Sequence, residues 1–255
     1  MFEDIHIIYV LSKYKLGLMT RIDLIKSFRE YIVSKGQIFI KLLQLLLVNH
    51  YKWGNTFTSN EINELNQILD NTYQNIEDSD FQVGCGSVAY VSYERKNNIA
   101  NKDIVIKRLL PNINEEIKLS FDRFKNMINI ASYFNYDFIS IKNLDSYYDF
   151  IVEQTDLNKE ASNMIKIKNI YKNCSNIDVP YVYAYNHEMI KMSFVKGEKL
   201  SVFLSKYLYL KTETLELLKQ ALLLMINNNI IHSDLHEGNL LFYQEDEEVF
   251  LNIID

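Results

Sequence analysis

The stretch "IIHSDLHEGNLLF", Ile230–Phe242, sets two histidines, an aspartate, a glutamate, a glycine and an asparagine between apolar flanks. It can be read as a metal site, a solvated turn or the catalytic loop of a phosphotransferase. For zinc, His232 and His236 are four apart and would share one face of a helix. Gly238 and the preceding "NNN" argue instead for a loop, and no cysteine or third histidine stands nearby. No zinc is expected. Read as a phosphotransfer loop, His232, Asp234 and Asn239 satisfy H-x-D-x-x-x-x-N, the spacing of a kinase catalytic loop. Such a loop needs a carboxylate facing the nucleophile or the γ-phosphate. It also needs an amide oxygen that holds Mg²⁺ on the other side of the phosphates, and apolar strands on both flanks to keep it rigid.

Working outward, "LNIID" supplies the next part, an aspartate after an apolar strand, so Asp255 is a second candidate magnesium ligand. Upstream, "VGCGSVAYV" reads as strand–turn–strand. Its Gly84, Cys85, Gly86 and Ser87 are placed for backbone amides to approach phosphates. A lone Gly-x-Gly is weak evidence. "IVIK" then puts Lys107 at the end of a strand, the position of a phosphate-gripping lysine, and "DLNKEASN" offers Glu160 on a helix as its partner. Each feature alone has a bland reading: an exposed strand lysine, a solvated helix carboxylate. In this order and at these spacings they point together to a nucleotide site for ATP with Mg²⁺.

The rest of the chain is consistent with that site. The 255 residues suffice for one large domain or a two-lobed unit with an extension. Hydrophobic residues are 48% and charged residues 24%, an ordinary globular balance. The net charge of −6 gives no overall attraction to phosphate backbones, so no nucleic-acid partner is expected. Cys85 and Cys174 form neither a disulfide framework nor a zinc pattern, which fits a reducing compartment. "MFEDIHIIYVLSKYK" carries an acidic pair where a secretory signal needs a basic region. "IFIKLLQLLLV", residues 38–48, is too short to span a bilayer and contains Lys41 and Gln44. The expectation is a chain that is not secreted, has no transmembrane segment, and is cytoplasmic or peripheral to an organelle membrane.

The element order follows from periodicity. Residues from Arg21 onward read as helical with a break around Gly36, and Asn60 to about Tyr73 as a helix opened by a Thr58–Glu61 capping box. A strand centres on Ile104–Lys107. Helices are predicted over Glu115–Ser132 and from Phe150 to about Tyr171, and a hairpin turns at Asn186 and His187. A helix capped by Thr212 should bury Leu215, Leu218, Leu222 and Met225, and a last hairpin ends at "FLNIID". The fold class is α+β, in two lobes.

The ordered motifs resemble the UbiB family, the AarF-domain atypical kinases linked to ubiquinone biosynthesis. The family's catalytic stretch has the form H-A-D-P-H-P-G-N-L, followed by I-D-F-G; here stand "HSDLHEGNLL" and "NIID". Its helix motif, E-x-D-x-x-x-E-A-x-N, is matched by Asp156, Glu160, Ala161 and Asn163. Its N-terminal K-x-G-Q is matched by Lys41 and Gln44.

The resemblance implies a protein-kinase-like fold with an N-terminal helical extension over residues 1–78, a kinase-like N-lobe over 79–194 and a partial, truncated C-lobe over 195–255. It implies that Lys107 grips the α/β-phosphates and pairs with Glu160, that Asp234 is the catalytic-loop aspartate, and that Asn239 and Asp255 bind magnesium. Lys41 and Gln44 would restrict the active site, with Asp156 facing them. It implies ATP and Mg²⁺ as cofactors and a nucleotide as partner. A lipid or membrane-associated enzyme would be a further partner, in isoprenoid-lipid metabolism.

Four departures bear on this. Leu43 replaces the glycine of K-x-G-Q, and Gln154 replaces the glutamate of E-x-D. The nucleotide loop is Gly-Cys-Gly-Ser rather than alanine-rich. The sequence stops where Phe-Gly and further helices are expected, which puts catalysis by these residues alone in question. Two rivals remain: a pseudokinase or nucleotide-binding module, and a small-molecule phosphotransferase of the aminoglycoside or choline kinase type.

Overall fold

The computed structural model describes residues 2–36, 38–42, 58, 60–61, 82–85, 87–94, 103–133, 144–232 and 235–254. The chain divides into two units. One comprises Met1–Asp80, Gly84–Tyr90 and Leu109–Thr155, and the other Phe81–Val83, Val91–Arg108 and Asp156–Asp255.

The first unit is helical. α1 spans Phe2–Lys15 and α2 spans Arg21–Ser34. Thr20 opens α2 through a reciprocal capping box: its hydroxyl accepts from the Asp23 amide at 3.2 Å, and the Asp23 carboxylate accepts from the Thr20 amide at 3.4 Å. The helix ends before Gly36, whose φ of +94° breaks the run at the expected place, and helix resumes over residues 38–42. Thr58 and Glu61 form the predicted capping box, with Glu61 Oε2 accepting from the Thr58 amide at 2.7 Å. The rest of that predicted helix lies outside the described residues. α3, Ile113–Tyr133, follows a turn at Pro111 and Asn112 and buries Ile113, Ile117, Phe121, Phe124 and Ile128 at helical spacing. α4 is Leu144–Glu153. These helices share one core, in which Phe39 meets Phe124 edge-on at 5.6 Å between centroids.

The second unit carries most of the β structure. A five-stranded sheet has the order β1 (Gln82–Cys85), β2 (Ala89–Glu94), β3 (Ile104–Leu109), β6 (Met189–Ser193), β5 (Val182–Asn186). β3 and β6 are antiparallel, with Lys107 opposite Ile190. α5, Leu157–Ile170, packs on β5 and β6 and buries Leu157, Ala161, Met164 and Ile167. A three-stranded sheet joins β4 (Ile177–Asp178), β8 (Glu248–Ile253) and β7 (Leu240–Glu245), with β4 parallel to β8. α6, Leu200–Lys206, and α7, Lys211–Asn227, connect the two sheets. Among the described residues no helix is long and apolar enough to cross a membrane.

Three expectations need correction. The single helix predicted from Phe150 to Tyr171 is two helices, α4 and α5, because Asp156 caps a new helix there. The buried stripe of α7 is Thr214, Leu217, Ala221 and Met225, whereas Leu215 and Leu222 are exposed. The run of leucines offers several stripes of nearly equal hydrophobicity. The one selected puts small Ala221 where the buried Tyr171 hydroxyl reaches its carbonyl at 2.8 Å. Thr212 is not the cap either. The helix starts after Leu210, whose carbonyl accepts from the Thr214 hydroxyl.

Candidate functional site

Lys107 and Glu160 are brought together. Both carboxylate oxygens of Glu160 lie 2.8 Å from Lys107 Nζ. The two side chains retain only 13% and 21% of their exposure, so the pair is shielded from water without being sealed off. Local structure accounts for each position. Ile104, Val105 and Ile106 are buried on β3, which anchors the strand that carries Lys107. Glu160 stands in the first turn of α5, whose N-terminus is pinned twice. The Asp156 carboxylate accepts from the Asn158 amide at 3.1 Å, and the His187 carbonyl, in the β5–β6 turn, accepts from the Leu157 amide at 3.3 Å. His187 Nδ1 also lies 2.9 Å from Asn158 Nδ2 and 3.2 Å from Asp156 Oδ1.

Within the opening stretch, Leu235 and His236 lead into a single 3₁₀ turn, Glu237–Asn239. His236 Nδ1 accepts from the Gly238 amide at 3.0 Å, which leaves the ring hydrogen of the neutral imidazole on Nε2. The Asn239 amide donates to the His236 carbonyl at 3.0 Å, and the Ile254 amide donates to the Asn239 carbonyl at 2.9 Å. Asn239 is buried and lies beside Ile254, the residue immediately before Asp255. Glu237 reaches away from the turn, and its Oε1 accepts from the Ser201 amide at 2.5 Å. Hydrogen bonding from Ser201 holds the Glu237 carboxyl below the usual glutamate range, and the charge of Lys199 acts the same way against a small opposing effect of burial.

The connector before α6 is fastened to the last hairpin. Glu198 and Phe242 exchange both backbone hydrogen bonds at 2.8 Å, and Asn252 Nδ2 donates to the Lys196 carbonyl at 2.8 Å. Lys196 pairs with Glu245 at 2.8 Å and stands 4.3 Å over the Tyr243 ring.

The remaining predicted site residues are distributed as follows. Gly84 and Cys85 end β1, and Ser87 is a half-buried bend residue. These three and Lys41, in the helical stretch 38–42, are counted with the first unit, and Asp156 with the second. Gln44, Gly86, Asp234 and Asp255 lie outside the described residues. Among the described residues no group of three or more His, Cys, Asp or Glu is arranged to hold a metal ion. Magnesium in a phosphate site takes one or two protein oxygens plus the phosphates, and an asparagine with an aspartate fits that donor set.

Sequence reasoning missed Glu237, and it assigned Asp156 no part in starting α5. An aspartate directly before the first apolar residue, Leu157, with acidic Glu160 in the first turn, is a helix-start signal that could have revealed the latter.

The profile of the ABC1 atypical kinase-like domain matches residues 50–255. The probable serine/threonine-protein kinase abkC of Dictyostelium discoideum is 27% identical over 175 residues, which cover 66% of this chain and 25% of that protein. Among solved structures, the Rv3197–erythromycin complex from Mycobacterium tuberculosis superposes with a TM-score of 0.52 at 17% identity. The match covers 69% of this chain and 44% of that one, and it is a likeness of fold. The chain thus spans about a quarter of the length of the curated relative. With an α+β kinase-like fold and a match over most of its length, the chain belongs to the family of ABC1 atypical kinase-like domains.

Proposed function

We propose that this chain binds Mg-ATP as an atypical kinase or ATPase of the UbiB type. The observation that carries the reading is the two-oxygen contact of Glu160 with Lys107 Nζ, the ion pair an active kinase needs. Held this way, the ammonium keeps one direction and offers its charge to phosphate oxygens. By the family resemblance, the sequence motif Gly84–Ser87 would supply backbone amides to the phosphates. Asn239 and Asp255 would supply oxygen ligands to magnesium, and Asp234 would accept the proton of the attacking hydroxyl or water. Bound Mg-ATP supplies the transferable phosphoryl group. The motifs of α5 and the extension favour isoprenoid-lipid metabolism over ordinary protein phosphorylation as the setting.

The test is thermal unfolding with Mg²⁺ and ATP or ADP. At about 100 times Kd, ligand adds roughly 2.7 kcal/mol, or about 5–11 °C for a chain of this size. The shift should vanish on chelating the metal and in Lys107→Ala. No shift in folded protein overturns the reading. A second reading, a nucleotide-binding module without turnover, is favoured by Leu43 and Gln154, which depart from the family motifs. ATP turnover that disappears in Asp234→Asn separates the two.

A further inference from the structure

We propose that Glu237 is a positioning residue that sets where Asn239 stands for the metal, by tying the catalytic loop to the start of α6. The inference rests on the Mg-nucleotide reading above. Its basis is a cap supplied from outside the helix. The first amides of a helix have no acceptor of their own within the helix. The N-cap residue of α6, Lys199, provides no side-chain cap. The acceptor comes instead from the catalytic loop, as Glu237 Oε1 takes the Ser201 amide at 2.5 Å. The motif stated above has proline at this position, which could not make the contact.

The link is mechanically short. Glu237 and Asn239 belong to the same 3₁₀ turn, closed by the Asn239 amide on the His236 carbonyl. Whatever fixes Glu237 therefore fixes Asn239. The other end of the link is rigid. The residues before α6 are held to β7 and β8 through the Glu198–Phe242 exchange and the Asn252–Lys196 bond, and Lys206 of α6 pairs with Glu198. Asn239 itself is buried at 8% exposure, so its side chain has little freedom to correct a displaced backbone. Partners that orient metal ligands in this way typically change metal affinity by about 10–100-fold when removed.

The test is a Mg²⁺ titration at fixed, saturating ADP, read as the metal concentration giving half of the nucleotide-induced thermal shift. In Glu237→Ala the half-point should rise about tenfold. Glu237→Gln keeps an acceptor oxygen on the Ser201 amide and should stay close to the parent, and it serves if the alanine variant unfolds. A merely structural role would lower the unfolding temperature without ligand and leave the half-point in place. That result, or a half-point displaced as far in Glu237→Gln as in Glu237→Ala, overturns the proposal while the parent's own metal-dependent shift leaves the nucleotide reading standing. Absence of any metal-dependent shift in the parent overturns both.

Discussion

Lys107 Nζ sits 2.8 Å from each oxygen of the Glu160 carboxylate, across 53 residues of sequence. The arrangement joins the middle of a sheet to the first turn of a helix through one ion pair.

Removing one partner of this shielded pair should cost more than removing both. Glu160→Leu leaves the ammonium without its carboxylate and should destabilise by about 1.5–3 kcal/mol, the range for hydrogen bonds to charged groups. The double variant Lys107→Met/Glu160→Leu should recover much of that loss. Urea midpoints of the four proteins in a double-mutant cycle measure the coupling.

Tyr171 predicts an alkaline signature. Burial, and secondarily the nearby Cys174, push its hydroxyl above the ordinary value of about 10. A folded-state value raised above the unfolded one gives stability that is complete below about pH 10 and drains away as pH rises toward the folded value. Tyr171→Phe removes the bond to the Ala221 carbonyl and should cost about 1 kcal/mol at neutral pH. It should also lose less stability than the parent between about pH 8 and about pH 11. Urea midpoints at the two pH values check both signs.

Gly197 is placed to accept no side chain. Its φ is +136°, and an added Cβ would stand 2.8 Å from Leu241 Cβ and 3.0 Å from the Leu241 carbonyl carbon. Gly197→Ala should therefore destabilise by about 1–3 kcal/mol, through strain and overpacking together. Thermal unfolding measures it. A change of less than a few tenths would show that the connector can move away from β7.

The β7–β8 turn predicts a gain. Glu245 pairs with Glu248, leaving a two-residue loop in which Asp246 and Glu247 have φ of 47° and 67°. Positive φ at both positions is the type I′ hairpin turn, which favours Asp-Gly. Glu247→Gly should stabilise by about 1 kcal/mol, read as a higher urea midpoint with unchanged slope.

Much of this was legible because the signals were local. The Thr58–Glu61 box, the break at Gly36 and the β5–β6 hairpin each depend on residues within a few positions, and each is found. Lys107 and Glu160 were legible for another reason: a strand lysine and a helix glutamate are ordered parts of one chemical requirement. The stripe of α7 was not. Leu215, Leu218 and Leu222 are at least as apolar as Thr214 and Ala221, which are buried in their place on the face that meets Tyr171, distant in sequence. Nor was Glu237 legible, since its partner is a backbone amide 36 positions away and any residue type supplies one.

The parallel pairing of β4 with β8 has a consequence for how the chain assembles. Ile177 lies beside Leu251, and the Leu251 amide donates to the Asn176 carbonyl, although both connecting helices, α6 and α7, intervene. The β7–β8 hairpin is local, and hairpins form in about 1–10 μs. Docking it on β4 must close a far longer loop before any contact repays the entropy. The second unit should therefore pass through a stage in which the hairpin exists and β4 is still solvated. Pulse-labelled hydrogen exchange would see the Leu251 amide protected after those of Tyr243 and Phe250, which face each other across the hairpin.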